Sequence, residues 1–318
     1  MSLARAEMAE QPAVLERLLR DPAIAAARAA VERRRPRYVV IAARGSSDNA
    51  ARYAQHLFGR FWGLPVALAT PSLHTLYDAP MRYDDALVIG ISQSGASPDV
   101  ASVVTAATEQ GALTIAITNE PDSPLATAAR HVIDLRTGPE RSVAATKTYT
   151  ASLGAVAALV GDLSPVPDAM ARQLQREVEA PAWERVAVIG RGANYGTAFE
   201  AALKISELTG AFAVPYSSAD FLHGPIAIVV PHFPILAIAP AGPTLAGMRK
   251  VLAAADAADI TVISDDPALA DIRLEPLPEW LSPLVAVIPA QQLAVGMAER
   301  LGRDVDRPPG LQKVTRTS

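Results

Sequence analysis

The 318-residue sequence contains no cysteine, which excludes a disulfide framework and any thiolate metal site within it. Histidine is scarce, with five in all, and no pair has metal-ligand spacing, so neither a metal nor another cofactor is expected. A basic excess is missing too: 29 Lys and Arg against 33 Asp and Glu leave a net charge of -4, no footprint for a nucleic-acid backbone. The one basic cluster, Arg33 to Arg35 before Pro36, reads as the solvated end of a helix. No apolar run approaches the ~20 residues of a membrane span; F-P-I-L-A-I-A-P-A is short and broken by proline. The N-terminal M-S-L-A-R-A-E-M-A-E-Q-P carries acids and no apolar centre, so no signal peptide, no membrane partner and a cytoplasmic location are expected. Neither phosphate-binding glycine motif is present, G-x-x-x-x-G-K-[ST] or G-x-G-x-x-G.

What remains is a chain that is 50% hydrophobic and 19% charged, with core material for two domains of ordinary size. It repeats itself. Y-V-V-I-A-A-R-G-S-S (Tyr38 to Ser47) is echoed by R-V-A-V-I-G-R-G-A-N (Arg185 to Asn194), an offset of 147 from Arg44 to Arg191. The same 147 carries Gly95 onto Gly242, each behind an apolar run, and T-I-A-I-T-N-E-P matches I-T-V-I-S-D-D-P at 146. Each copy has apolar, β-branched runs of strand length between alanine-rich stretches long enough for helices, the pattern of βαβ units around a parallel sheet. Strands are expected near 38–43, 86–91, 113–118, 185–190, 234–239 and 259–264. Helices are expected to open after both glycine turns, at S-D-N-A-A-R-Y-A-Q-H-L-F and A-N-Y-G-T-A-F-E-A-A-L-K. The proline-bearing G-D-L-S-P-V-P-D-A-M reads as the link. The expected organisation is an N-terminal helical segment 1–30, domains 31–160 and 183–303, a linker 161–182 and a tail 304–318.

Behind the run Ala86 to Ile91 comes S-Q-S-G-A-S-P-D, rich in hydroxyls and free of lysine and arginine. In open parallel sheets ligands bind beyond the carboxyl ends of the strands, where amides at a helix start attract anions. Hydroxyl donors there can hold a phosphate without a formal positive charge. The alternative is a plain turn with Ser97 as helix cap and Pro98 at the first helical position. R-G-S-S-D (Arg44 to Asp48) is a second hydroxyl-bearing turn, whereas the later copies, A-P-A-G-P-T and R-G-A-N-Y, lack the serines. One half is therefore expected to bind phosphate and the other to supply different groups.

R-G-S-S, I-S-Q-S-G-A-S-P-D, G-P-E-R-S-V-A-A-T-K-T, F-E-A-A-L-K-I-S-E, F-L-H-G-P and D-V-D-R-P-P-G-L-Q-K, in this order, resemble the sugar-isomerase (SIS) family, in particular the isomerase half of glucosamine-6-phosphate synthase and the SIS-type glucosamine-6-phosphate deaminases. The resemblance implies an α/β fold of two tandem SIS domains, each a five-stranded parallel sheet flanked by helices (flavodoxin-like or Rossmann-like). It implies a sugar-phosphate ligand held by Ser92, Gln93, Ser94 and Ser97 with Gly45, Ser46 and Ser47, and Val143 beside the sugar. Glu207 would shuttle a proton between C1 and C2, Glu200 and Lys204 would handle the ring and its protons, His223 would open the ring from a neighbouring subunit of a homodimer, and Lys313 would contact the open-chain carbonyl.

The residues alone leave alternatives. Glu200, Lys204 and Glu207 fall at i, i+4 and i+7, one helix face that spacing alone would make an ion-paired surface. His223 could be structural, and Lys313 could lie in a solvated tail. Ala145 stands where the family usually has a serine. Without a cysteine, synthesis from glutamine is not expected of this chain alone, which leaves deamination of an aminosugar phosphate. Plain aldose–ketose isomerisation, a fructosamine-phosphate deglycase and a non-catalytic sugar-phosphate sensor are the alternatives.

Overall fold

The computed structural model describes residues 2–313. They form two compact units, each assembled from separate stretches: a first unit of Ala13–Glu140 and Lys147–Leu163 with Gln312 and Lys313, and a second of the residues up to Pro12, Arg141–Thr146 and Ser164–Leu311.

The chain starts with α1 (Leu3–Ala9), part of the second unit, and continues through α2 (Gln11–Leu19) and α3 (Pro22–Arg34). Asp21 caps α3 by accepting from Ala23 N at 2.9 Å, Pro22 supplies a pre-set φ, and Arg35 ends the helix in the left-handed region. Arg33, Arg34 and Arg35 are exposed, as expected of a helix end. The first unit then runs β1 (Tyr38–Ala43), α4 (Ser46–Trp62), β2 (Val66–Leu68), α5 (Ser72–Thr75), β3 (Ala86–Ser92), α6 (Pro98–Glu109), β4 (Leu113–Thr118), α7 (Pro124–Ala128), β5 (His131–Asp134) and α8 (Lys147–Ala158). Its five strands are parallel, in the order β2-β1-β3-β4-β5. Every residue of β3 is buried, which is why this strand is an unbroken apolar run in the sequence.

The second unit contains α9 (Val166–Leu174), β6 (Arg185–Gly190), α10 (Tyr195–Thr209), β7 (Phe212–Ser217), α11 (Ser218–Leu222), β8 (Pro234–Ile238), α12 (Leu245–Ala254), β9 (Asp259–Ser264), β10 (Ile272–Arg273) and α13 (Pro283–Arg300). Its parallel order β7-β6-β8-β9-β10 repeats that of the first sheet, strand for strand. The starts of β1 and β6 are 147 residues apart and those of β4 and β9 are 146 apart, so the repeat in the sequence is a repeat of topology. Helix α9 occupies part of the stretch expected as a link, burying Val166, Ala169 and Met170. Among the described residues, no helix is long and apolar enough to cross a membrane.

All six expected strands are present, and both glycine turns lead into helices, the second through a short 3-10 turn at Gly192–Asn194. Sequence reading did not find the edge strands β2, β5, β7 and β10. Three of these have four residues or fewer, and β7 contains Pro215, which marks an edge position because proline cannot donate to a ladder.

Candidate functional site

In the first sheet β1 and β3 are neighbours, yet the chain leaves β1 towards β2 on one side and β3 towards β4 on the other. This is the topological switch point of an open parallel sheet, where a crevice opens beyond the strand ends. Ala43 pairs with Ile91, so the turn at Gly45 to Ser47 and the loop Ser92 to Ser97 leave adjacent strands side by side. Each leads into a helix of twelve residues or more, α4 and α6, whose first amides carry partial positive charge.

The loop is built from within. Ser92 Oγ accepts from Gly95 N at 3.2 Å and Ser94 Oγ accepts from Ala96 N at 3.3 Å. The strand-end segment after β4 braces it: Asn119 N donates to Gln93 O at 3.1 Å, and Leu125 N donates to Gly95 O at 3.1 Å. Ser97 stands at the cap position of α6, as the alternative reading required, but its side chain makes no capping hydrogen bond. Its hydroxyl, with that of Ser47 and the amide of Gln93, has no side-chain partner among the described residues. Ser46, Ser47, Gln93, Ser94 and Ser97 are all part-exposed, whereas Ser92 is buried. The Arg44 guanidinium, next to Gly45 in the chain, is committed: its Nε bonds Asp99 Oδ2 at 2.7 Å, and the Asp99 side chain is 2% exposed. That pair cancels the one carboxylate in the first turn of α6, which would otherwise oppose an anion. The arrangement is an uncharged cradle of hydroxyls at two helix starts.

Gly95 holds this loop in shape. Its φ is +58°, and an added Cβ would lie 2.0 Å from Ser123 Oγ and 2.4 Å from Ser123 Cβ. Gly95→Ala is expected to destabilise the protein by about 2–5 kcal/mol through overpacking and left-handed strain. Urea denaturation checks it.

The corresponding place in the second unit is filled. A Cβ on Gly242 would meet Glu279 Cβ at 2.7 Å, and one on Gly192 would meet Glu279 Oε1 at 3.1 Å. Ala241 N, one residue before Gly242, donates to Asp265 Oδ1 at 2.6 Å. Two carboxylates thus crowd the position where the first unit keeps hydroxyls, and they repel an anion.

The second unit instead presents charge on α10. Glu200 is fully buried and Lys204 is 2% exposed, with Lys204 Nζ 3.5 Å from Glu200 Oε1 and hydrogen-bonded to Glu207. Spacing alone suggested an ion-paired surface; the face is ion-paired but buried. On another face of the same helix, Ala198, Ala201 and Ile205 join Ala286, Ala290, Leu293 and Ala294 of α13 in one core. Only Glu207, 23% exposed, remains open to a ligand.

The other expected residues occupy separate places. His223 ends α11 on the surface, its N–H donating to Asp220 O at 3.0 Å. Val143 is part-exposed in the segment Arg141–Thr146, its N–H donating to Asp306 O at 3.1 Å. Buried Glu7 of α1 accepts from Arg141 N and from Ser142 N, the latter at 3.2 Å, and Asp306 accepts from Leu3 N and Ala4 N at 2.9 and 2.8 Å. Ala145 lies beside this anchored stretch, part-exposed. Lys313 belongs to the first unit, where Nζ bonds Glu140 Oε2 at 2.8 Å. Burial pushes the Glu140 carboxyl up, but the Lys313 charge and hydrogen bond and two bonds from Thr148 outweigh it and hold Glu140 below the usual carboxylate range. This ion pair stabilises the fold at neutral pH, and its contribution is lost as pH falls through the depressed value. Sequence reading assigned no role to Asp99, Ser123, Glu140 or Glu279; the first three lie in or beside quoted motifs, which was the available signal.

The fold is thus a parallel sheet with a hydroxyl-lined cradle at its switch point, present twice in tandem, with carboxylates at the corresponding place of the second copy. The SIS domain family matches residues 34–161 and 182–266, and the chain belongs to that family, with two SIS domains. Glutamine–fructose-6-phosphate aminotransferase (isomerizing) of Gloeobacter violaceus is 33% identical over 311 residues, covering 86% of this chain and 51% of that protein. The chain thus spans about half the length of the curated relatives it matches. Among solved structures, a candidate phosphosugar isomerase from Silicibacter pomeroyi DSS-3 superposes with a TM-score of 0.86 at 33% identity, covering 96% of this chain and 100% of that one. Glucosamine-6-phosphate deaminase of Thermotoga maritima gives a TM-score of 0.79 at 18% identity over 99% of this chain and 100% of that one, a likeness of fold alone.

Proposed function

We propose that this chain is an aminosugar-phosphate deaminase that converts glucosamine 6-phosphate and water into fructose 6-phosphate and ammonia. The observation that carries the reading is Glu207: a carboxylate that stays part-exposed at the end of an otherwise buried, ion-paired row. Moving a proton between adjacent carbons needs one base that reaches both, and a part-exposed carboxylate can serve. In the ring-opened sugar Glu207 takes the proton from C2, and the C2–H electrons form a C1=C2 double bond while the C1 carbonyl oxygen gains a proton. Return of the proton from Glu207 to C1 leaves an imine at C2. Water adds to that carbon and ammonia departs, giving the ketose.

The cradle of the first unit is assigned the 6-phosphate, through Ser94, Ser97 and Gln93 with Ser46 and Ser47. His223, from a neighbouring subunit of a homodimer, is assigned ring opening. Lys313 is assigned the open-chain carbonyl, and Glu200 and Lys204 the support of Glu207. No metal or cofactor enters the reaction. The relatives support this substrate class by their names, a fructose-6-phosphate aminotransferase and a candidate phosphosugar isomerase. With no cysteine in the 318 residues, none of them supplies a thiol for releasing ammonia from glutamine. The second reading, aldose–ketose isomerisation of a phosphosugar without nitrogen, is favoured by the second relative's name.

Incubation with glucosamine 6-phosphate is expected to release ammonia and fructose 6-phosphate in equal amounts, and Ser94→Ala/Ser97→Ala to raise KM more than tenfold with little change in kcat. Turnover of glucose 6-phosphate with no ammonia from the amino sugar would establish the second reading instead.

A further inference from the structure

Glu140 has no part in the reaction as written, yet it is an unusually placed carboxylate. Its side chain is fully buried, and it stands just before α8, where Oε1 accepts from Thr148 N at 3.1 Å and Oε2 from Thr148 Oγ1 at 2.6 Å. The amides at the start of α8 favour negative charge there, so the carboxylate is fixed in direction from the helix side. Its remaining capacity on Oε2 goes to Lys313, 173 residues further on. The chain around Lys313 has no regular secondary structure, and Leu311, two residues earlier, is 41% exposed. The Glu140–Lys313 ion pair is one of the contacts that anchor this stretch.

We propose that Glu140 is the positioning residue of Lys313: a rigid buried carboxylate that draws the C-terminal stretch to the start of α8 and fixes the ammonium where the reaction uses it. A long lysine side chain loses much rotamer freedom when held in one geometry, and a partner that holds it beforehand removes that loss from the catalytic step. The catalytic half of this inference rests on the role given to Lys313 above; the docking half does not.

The experiment compares wild type, Glu140→Gln, Glu140→Asp, Lys313→Met and the Glu140→Gln/Lys313→Met double variant. A lysine-specific protease acting on the folded protein removes the five residues after Lys313, which mass spectrometry reads directly. Glu140→Gln is expected to speed that cut at least tenfold, with Glu140→Asp between it and wild type. With glucosamine 6-phosphate, Glu140→Gln should lower kcat about 10- to 100-fold with KM within about threefold, and the double variant should be no slower than Lys313→Met alone, since paired residues act as a unit. An unchanged cut rate in Glu140→Gln, or additive losses in the double variant, would overturn the proposal. If wild type turns over no sugar phosphate, the functional reading fails while the protease result still decides the docking. Should Glu140→Gln not fold, Thr148→Val loosens the same carboxylate, and equal protection of Lys313 there would likewise overturn it.

Discussion

Glu207→Gln is expected to lower kcat for ammonia release about 10³-fold while leaving KM and hexose-phosphate affinity within about threefold, in the range measured when a general base is removed. The amide keeps the size of the side chain and an oxygen for the Lys204 ammonium, which bonds Glu207 in the native protein. What it cannot do is take a proton from carbon. Loss of C2 deuterium to solvent should slow in parallel, because that exchange reports the same transfer. A variant that exchanges and deaminates at the wild-type rate would remove Glu207 from the mechanism and leave the cradle without a partner chemistry.

Lys204→Met is the second large effect, on stability as well as rate. Lys204 is 2% exposed and the Glu200 carboxylate, 3.5 Å away, is fully buried. Removing the ammonium leaves that carboxylate without its cation in a site closed to water, a loss of about 3–5 kcal/mol in comparable buried pairs. The Glu200→Gln/Lys204→Met double variant should recover a substantial part, since the buried charge goes with its partner. Urea midpoints of the single and double variants test this; equal midpoints for wild type and Lys204→Met would mean that the row is solvated.

Much of the fold was legible in the sequence because the central strands are buried on both faces and so appear as continuous apolar runs, twice over at one offset. Edge strands were not, being short or interrupted by Pro215. In the candidate site, the hydroxyls of Ser92 to Ser97 could be read as a cradle from local order alone. Whether Ser97 was consumed as a cap could not, since that depends on where its hydroxyl turns. Helical spacing put Glu200, Lys204 and Glu207 on one face but could not say that most of that face is buried, because burial depends on what the folded chain packs over it. The pairs Arg44 with Asp99 and Glu140 with Lys313 join positions 55 and 173 residues apart, with no periodic signal between them. Glu279 is the same case: only the folded chain shows that it occupies the place the first unit leaves open.

The central claim is that an anionic sugar is held by hydroxyls and amides without a cation. A crystal structure of the Glu207→Gln protein with glucosamine 6-phosphate tests it most directly. Phosphate oxygens within about 2.6–3.2 Å of the Ser94 and Ser97 hydroxyls and the loop amides are predicted. An empty loop, with the phosphate bound elsewhere on arginine or lysine side chains, would contradict it.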